Sequence, residues 1–312
     1  MQPITFHPIY KERIWGGRKL EETYHRTLPQ PITPYGEAWE IVDREDAQSI
    51  VSSAEFPGET LHHLWTQHRP EIFGDDLPDT HHFPLLIKIL DSADDLSLQV
   101  HPPASIAQQL GGEPKTEMWF IAHAQPGSKL YVGLKKGTTP TSFQHAITTG
   151  TLAAQIHTIT PHKGQSIFIE SGRLHAIGAG FLIHEIQQNS DTTYRVFDWN
   201  RLGLDGKPRD LHVAESLASI DFQDFEPTMD APLGDNLASC PFFKTDRKTL
   251  AAGELIANPR DDRFSIIAVV SGELASATGR RFEKGRFILL PCHATPLTAL
   301  SKTTLLQITL PG

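Results

Sequence analysis

The stretch KGQSIFIESGRLHAIGAGFLIHEIQQNSDTTYRVFDWNR, residues 163–201, reads as strand, turn, histidine, second strand and polar loop. Ser166 to Ile169 is a short β-like run, closed by the turn residues Ser171 and Gly172. His175 follows at once. Beyond it Phe181, Ile183, Glu185 and Gln187 alternate with Leu182, His184, Ile186 and Gln188. A strand here places Glu185 and Gln187 on one face. Asn189, Asp191, Thr192, Thr193 and Arg195 then follow in a loop-like segment. Polar groups at this density beside apolar strands mark a site or a solvated hairpin end, and the stretch alone leaves both open.

Working outward, the lysine-glycine start of this stretch has a faint second copy. Lys163-Gly164-Gln165-Ser166-Ile167-Phe168-Ile169 is matched by Lys284-Gly285-Arg286-Phe287-Ile288-Leu289-Leu290, 121 residues on. In the second copy Pro296 falls where the first has His175. This predicts two related β-barrel halves, one with a site and one without. Polar, Pro-containing sequence from about residue 220 (DFQDFEPTMDAPLGDN) reads as the linker. The expected division is residues 1–220, a metal-bearing domain with helical insertions, and residues 221–312, a metal-free β domain with strands at 265–270, 287–290 and 303–309.

The chain ahead of this stretch supplies the neighbours. Phe83 to Leu90 (FPLLIKIL) is an apolar run of buried-strand length, interrupted by Lys88. That lysine must find a partner or face a cavity, unless the run is an edge strand from which it snorkels. In Leu96 to His101, Ser97, Gln99 and His101 face away from Leu96, Leu98 and Val100, roughly 7 Å apart in successive steps. Lys115, Glu117 and Trp119 likewise share one face. Residues 59–73, 104–112 and 140–157 allow short helices, the last with Phe143, Ala146, Ile147, Leu152 and Ile156 as an imperfect apolar stripe. His62, His63, His81 and His82 sit in polar surroundings and read as surface residues rather than ligands.

The totals bound the class. A chain of 312 residues can bury a large core and splits naturally into two domains. With 28 basic and 37 acidic residues the formal charge is −9, which argues against nucleic acid or an anionic membrane as partner. Gly and Pro number 23 each, which suits a mainly β protein of many turns. The two cysteines, Cys240 and Cys292, form no C-x-x-C and read as buried thiols in a reducing cytosol. No apolar run approaches the roughly 20 residues of a membrane helix, and the N-terminus lacks a signal-peptide pattern. The expectation is a soluble cytoplasmic protein whose oligomeric state the sequence leaves open.

Gln99, His101, Glu117 and His175 gather from these β-like segments as nitrogen and oxygen donors for one divalent ion such as zinc, iron or manganese. Three ligands and a side-chain amide leave room for water or substrate. The spacing of Gly164, Glu170, Gly172 and His175 resembles the second cupin motif, with Glu170 where proline is usual. Gln99-Val100-His101 stands where the first cupin motif has H-x-H. The segments LSLQVHPP (96–103), EPKTEMWFI (113–121) and 172–201, with ERIWGGRKL (12–20) and GEAWEI (36–41), resemble the type I mannose-6-phosphate isomerases (phosphomannose isomerases) in their short bacterial form. The likeness covers residues 3–215 well and the remainder loosely.

The resemblance implies a mainly β fold of two cupin-type β-barrel (jelly-roll) halves with a few peripheral helices. It implies a zinc-dependent aldose–ketose isomerase interconverting mannose 6-phosphate and fructose 6-phosphate. One Zn2+ on Gln99, His101, Glu117 and His175, and Arg195 as the catalytic arginine, are part of that implication. Moving a proton between adjacent carbons through an enediolate needs a base and stabilisation of two oxygens. Lys115 and Glu185 are further catalytic candidates, and Lys88 and Ser97 candidates for holding substrate. The competing readings are another metallo-cupin, an oxygenase or epimerase, and a non-catalytic sugar-binding cupin. Gln99 and the EIQQNSDTTYR loop weigh against the first, and the intact ligand set against the second. An isomerase of a non-phosphorylated sugar stays open as well.

Overall fold

The computed structural model describes residues 1–311 and is mainly β, 38% strand against 14% helix. Antiparallel sheets pack in pairs, in the jelly-roll manner expected of a cupin. No closed barrel forms among the described residues. Each half is a pair of open sheets joined by side-chain packing, so the expected barrels are sandwiches.

The chain forms two compact units, and neither is contiguous. One comprises residues 10–38 and 88–230, the other residues 1–9, 39–87 and the chain from 231. The expected boundary at 220 does not describe them, because packing follows contacts in space rather than order along the chain. In the second unit Phe73 sets its ring edge-on to Phe264 at 5.1 Å, and the Cys292 N–H donates to the Ile72 carbonyl at 2.9 Å. Residues 221–230, which read as linker, belong to the first unit. Phe222 and Phe225 pack on its apolar core, and Asp224 pairs with Arg173 at 2.8 Å.

In the first unit one sheet has five strands, in the order Ile156–Ile159, Leu130–Leu134, His175–Ile177, Leu98–Val100 and Tyr194–Phe197. The other has six: Ser166–Ile169, Glu117–Ala124, Phe181–Gln188, Leu85–Ser92, Ile9–Gly17 and Tyr35–Ile41, the last three contributing residues 88–92, 10–17 and 35–38 to this unit. Trp119, Ile121, Ile167, Phe181 and Ile183 of the second meet Leu130, Val132 and Ile177 of the first. Each such side chain contributes roughly 1.5–3 kcal/mol by leaving water. Leu98, Val100, Ala176 and Val196 point the other way, against Phe143 and Ala146 of helix Pro140–Thr149. The period of two therefore turns Gln99, His175 and Arg195 to the inner face. Along the facing strands the inner face changes from apolar to charged, from Ile121 to Glu117, from Ile183 to Glu185 and from Leu90 to Lys88. One end of the sandwich is thus core and the other end is site.

The second unit has sheets of five and four strands around Ile267, Val269, Leu274, Ile288, Leu290 and Leu305. The helical segment expected at 59–73 divides into Leu61–Gln67 and Arg69–Ile72, the second opening with proline at its start. No helix among the described residues is long and apolar enough to cross a membrane.

Candidate functional site

Three buried side chains, His101, Glu117 and His175, bring their ligand atoms within 4.8 Å of one another. They come from both sheets. Glu117 is the first residue of its strand and lies opposite both Ile169 and Gln187. His175 is the first residue of its strand, directly opposite Gln99, and His101 follows the strand that carries Gln99. The turn ahead of His175 is tied to the same place. Gly172, at φ 98° in the left-handed region that favours glycine, donates its N–H to the His101 carbonyl at 2.8 Å.

Backbone carbonyls fix which nitrogen of each ring carries the proton. His101 Nδ1 donates to the Thr192 carbonyl at 2.8 Å, and His175 Nδ1 to the Arg173 carbonyl at 2.9 Å. Each neutral ring then presents a lone pair at Nε2. His101 Nε2 lies 3.5 Å from Glu117 Oε2, and His175 Nε2 lies 3.7 Å from Glu117 Oε1. His101 Nε2 and Glu117 Oε1 are buried without a hydrogen-bond partner, and Glu117 Oε2 is met only by the Lys115 ammonium. Acceptors facing acceptors in a dry interior call for a cation between them. Two imidazoles and a carboxylate are a donor set that fits a divalent ion. Burial, with the charge of Lys115, pushes His101 down to about 3, and burial lowers His175 too, so both stay neutral and able to ligate. Gln99 sets its amide nitrogen 3.2 Å from His175 Nε2, and the same amide turned over offers its oxygen as a fourth ligand.

The lysine beside this cluster stays charged. Burial alone disfavours the Lys115 ammonium, but Glu117, Glu185 and Asp191 outweigh it and hold its pKa above the usual range. Its Nζ lies 3.1 Å from Glu117 Oε2 as an ion pair. Burial also opposes ionisation of Glu117, and the charge of Lys115 overcomes it, so the carboxyl stays ionised. Glu185 goes the other way: burial first, then the nearby charge of Glu117, pushes its pKa up to about 7.

A cavity of about 560 Å³ opens beside the cluster, and Gln99 and Lys115 form the part of its wall that touches the cluster. Lys88, Ser97, Glu185 and Arg195 also line it. Each residue picked from the sequence is thus at the ligand cluster or in this wall. Lys88 does not snorkel from an edge strand. It lies inside the six-stranded sheet, is 3% exposed, and pairs with Glu185 at 3.5 Å. Arg195 lies on strand Tyr194–Phe197 rather than in a loop, directly opposite Gln99. No carboxylate pairs with it among the described residues. Its Nη1 donates to the Asp210 carbonyl at 2.8 Å and its Nε is buried without a partner. The expected carboxylate partner, Glu185, instead accepts from Trp119 Nε1 at 3.2 Å.

Sequence reasoning missed part of the wall. Arg13, Glu37, Asp191 and Arg209 also line the cavity. Arg13 pairs with Glu37 at 2.8 Å, and Arg209 pairs with Asp198. Arg13 and Glu37 stand in the segments ERIWGGRKL and GEAWEI, so the signal was present without a role attached. The carbonyl of Thr192 carries no signal at all, since backbone groups leave no mark on residue type.

Comparison with known proteins agrees with this geometry. A family model described as phosphomannose isomerase type I, catalytic domain, matches residues 4–112. The chain is 34% identical over 302 residues to mannose-6-phosphate isomerase ManA of Bacillus subtilis, covering 93% of each chain. It is 30% identical over 307 residues to the mannose-6-phosphate isomerase of Streptococcus mutans, covering 93% of this chain and 92% of that one. The crystal structure of mannose 6-phosphate isomerase from Bacillus subtilis superposes with a TM-score of 0.89 at 29% identity, over 99% of this chain and all of that chain. Sequence likeness along nearly the whole length and a shared fold place this chain in the type I phosphomannose isomerase family.

Proposed function

We propose that the protein interconverts mannose 6-phosphate and fructose 6-phosphate, with Zn2+ held by His101, Glu117 and His175 and by the amide oxygen of Gln99. Two imidazoles and a carboxylate are a frequent ligand set of catalytic zinc. The bound ion supplies Lewis acidity toward the two sugar oxygens that exchange roles.

The chain's own residues divide the remaining work. Glu185, with its pKa about 7, takes the proton from C2 of mannose 6-phosphate and returns it to C1, while the hydroxyl proton passes from O2 to O1. The Trp119 indole N–H holds the carboxylate in place for both transfers. Negative charge grows on the two oxygens as the enediolate forms. Arg195 meets that charge, and Lys115, held protonated beside Glu117, adds a second cation. Lys88 and Ser97 hold the substrate in the same wall, with Lys88 also orienting Glu185.

The observation that carries this reading is the pairing of charges around the cavity. Arg13, Lys88, Lys115 and Arg209 each have a carboxylate within ion-pair distance, and Arg195 has none among the described residues. A half-buried guanidinium left in this way is matched by an anionic guest. A coupled assay tests the assignment, run once with mannose 6-phosphate and once with unphosphorylated mannose. Turnover of the phosphorylated sugar alone is expected. Turnover of mannose alone would move the assignment to a different sugar isomerase.

A further inference from the structure

A second cluster of histidines lies in the other compact unit, on residues that the isomerase reading does not use. Its centre is Asp43, wholly buried. The carboxylate accepts from Gln48 Nε2 at 2.8 Å on Oδ1 and from the Phe83 N–H at 2.7 Å on Oδ2. His82 Nδ1 lies 3.0 Å from Oδ1, and His62 Nδ1 lies 3.1 Å from Oδ2. The sequence reading that puts these histidines at the surface holds for His63 and His81, which are exposed. His62 and His82 are half-buried against Asp43.

Gln48 and the Phe83 N–H already donate to this carboxylate, and both histidines turn Nδ1 to it as further donors. With Nδ1 turned to Asp43, Nε2 is the nitrogen of each ring left to bind a metal. A carboxylate that fixes imidazoles in this way is what sits behind metal-bound histidines. A third ring completes the set. The His62 and His82 centroids are 5.1 Å apart, and His81 lies 5.2 Å from His62 and 4.6 Å from His82. Three imidazoles bound through nitrogen to one tetrahedral ion place their ring centres roughly 5 Å apart. The frame is rigid: Leu61, Leu64, Trp65 and Phe83 beside these histidines are all buried.

We propose that His62, His81 and His82 form a second site for a divalent transition metal, oriented by Asp43 and open to water on its fourth side. Imidazole ligands select zinc, nickel or copper over magnesium and calcium. The site stands whether or not the cavity is an isomerase, because no residue is shared.

The test counts metal on the tag-free full chain. The protein is stripped with chelator, titrated with Zn2+, and its bound metal measured by mass spectrometry after gel filtration. Two ions per chain are expected for the wild type. One is expected for His62→Ala/His82→Ala, and one for His101→Ala/His175→Ala, each variant losing a different ion. His81→Ala leaves the Asp43 hydrogen bonds intact and so guards against misfolding. In it, the affinity of the second ion is expected to fall about tenfold or more. A single ion in the wild type overturns the proposal. So does a second ion that His81→Ala and His62→Ala/His82→Ala leave unchanged, or one that binds only at millimolar metal.

Discussion

Residues 163–169 and 284–290 hold the same place in two sheets of like construction. Gly164 and Gly285 both have positive φ, 89° and 80°. The Gly164 N–H donates to the Ile121 carbonyl and the Ile121 N–H returns a bond to the Gln165 carbonyl. Gly285, Val269 and Arg286 repeat both bonds. Strand Ser166–Ile169 runs beside Glu117–Ala124, with Ile169 opposite Glu117, as Phe287–Leu290 runs beside Ser265–Ser271, with Leu290 opposite Ser265. The first unit thus has a carboxylate where the second has a hydroxyl. Ser265 is satisfied, donating to Asn258 Oδ1 at 2.7 Å and accepting from Gln307 Nε2 at 3.2 Å. Glu117 is met only by the Lys115 ammonium and faces two imidazole lone pairs. On one scaffold, polar groups that complete each other are structure, and polar groups left facing each other form a site.

Breaking the site side of this contrast should have the largest effects. Glu185→Gln keeps the shape and removes the proposed base, so kcat is expected to fall by about 10²–10⁴. In the parent enzyme the base works only when deprotonated. The kcat/KM profile should therefore fall as pH drops through about 7, the raised pKa of Glu185, and Glu185→Gln should lose that limb. A limb that persists in the variant would assign it to another group. Arg195→Ala comes next. Its charge meets an oxyanion that develops in the transition state, so kcat should drop by about 10²–10³ with little change in KM. A defect confined to KM would make Arg195 a binding residue only.

The satisfied side gives the smallest effect. Ser265→Ala leaves Asn258 and Gln307 each short of a partner, which costs about 1–3 kcal/mol of stability. Denaturant unfolding should show that loss while turnover stays at the parent value. A large loss of turnover would mean the second unit does more for the site than the comparison allows.

The clustering of the candidate ligands was legible in the sequence, because alternation fixes which face a strand residue takes. Gln99, Glu117 and Glu185 reach the inner face by that rule, and the Lys-Gly repeat marked two strands in sheets of like construction. What stayed hidden was non-local. That residues 39–87 fold with the C-terminal strands follows from packing such as Phe73 on Phe264, which no local pattern records. The partner of Lys88 proved to be Glu185, almost a hundred positions away, and the partner expected for Arg195 was already engaged by Trp119. Asp43 joins His62 and His82 across segments that share no motif.

The central claim, that the facing acceptors of the first unit hold a catalytic ion, is tested most directly by removing that ion and returning it. Activity toward mannose 6-phosphate is measured in the parent protein and in His101→Ala/His175→Ala after exhaustive chelation, then after addition of one equivalent of Zn2+. The account predicts that chelation abolishes parent activity, that zinc restores it, and that the folded variant stays inactive throughout. Full activity in the chelated parent, with metal content confirmed at zero, would contradict it.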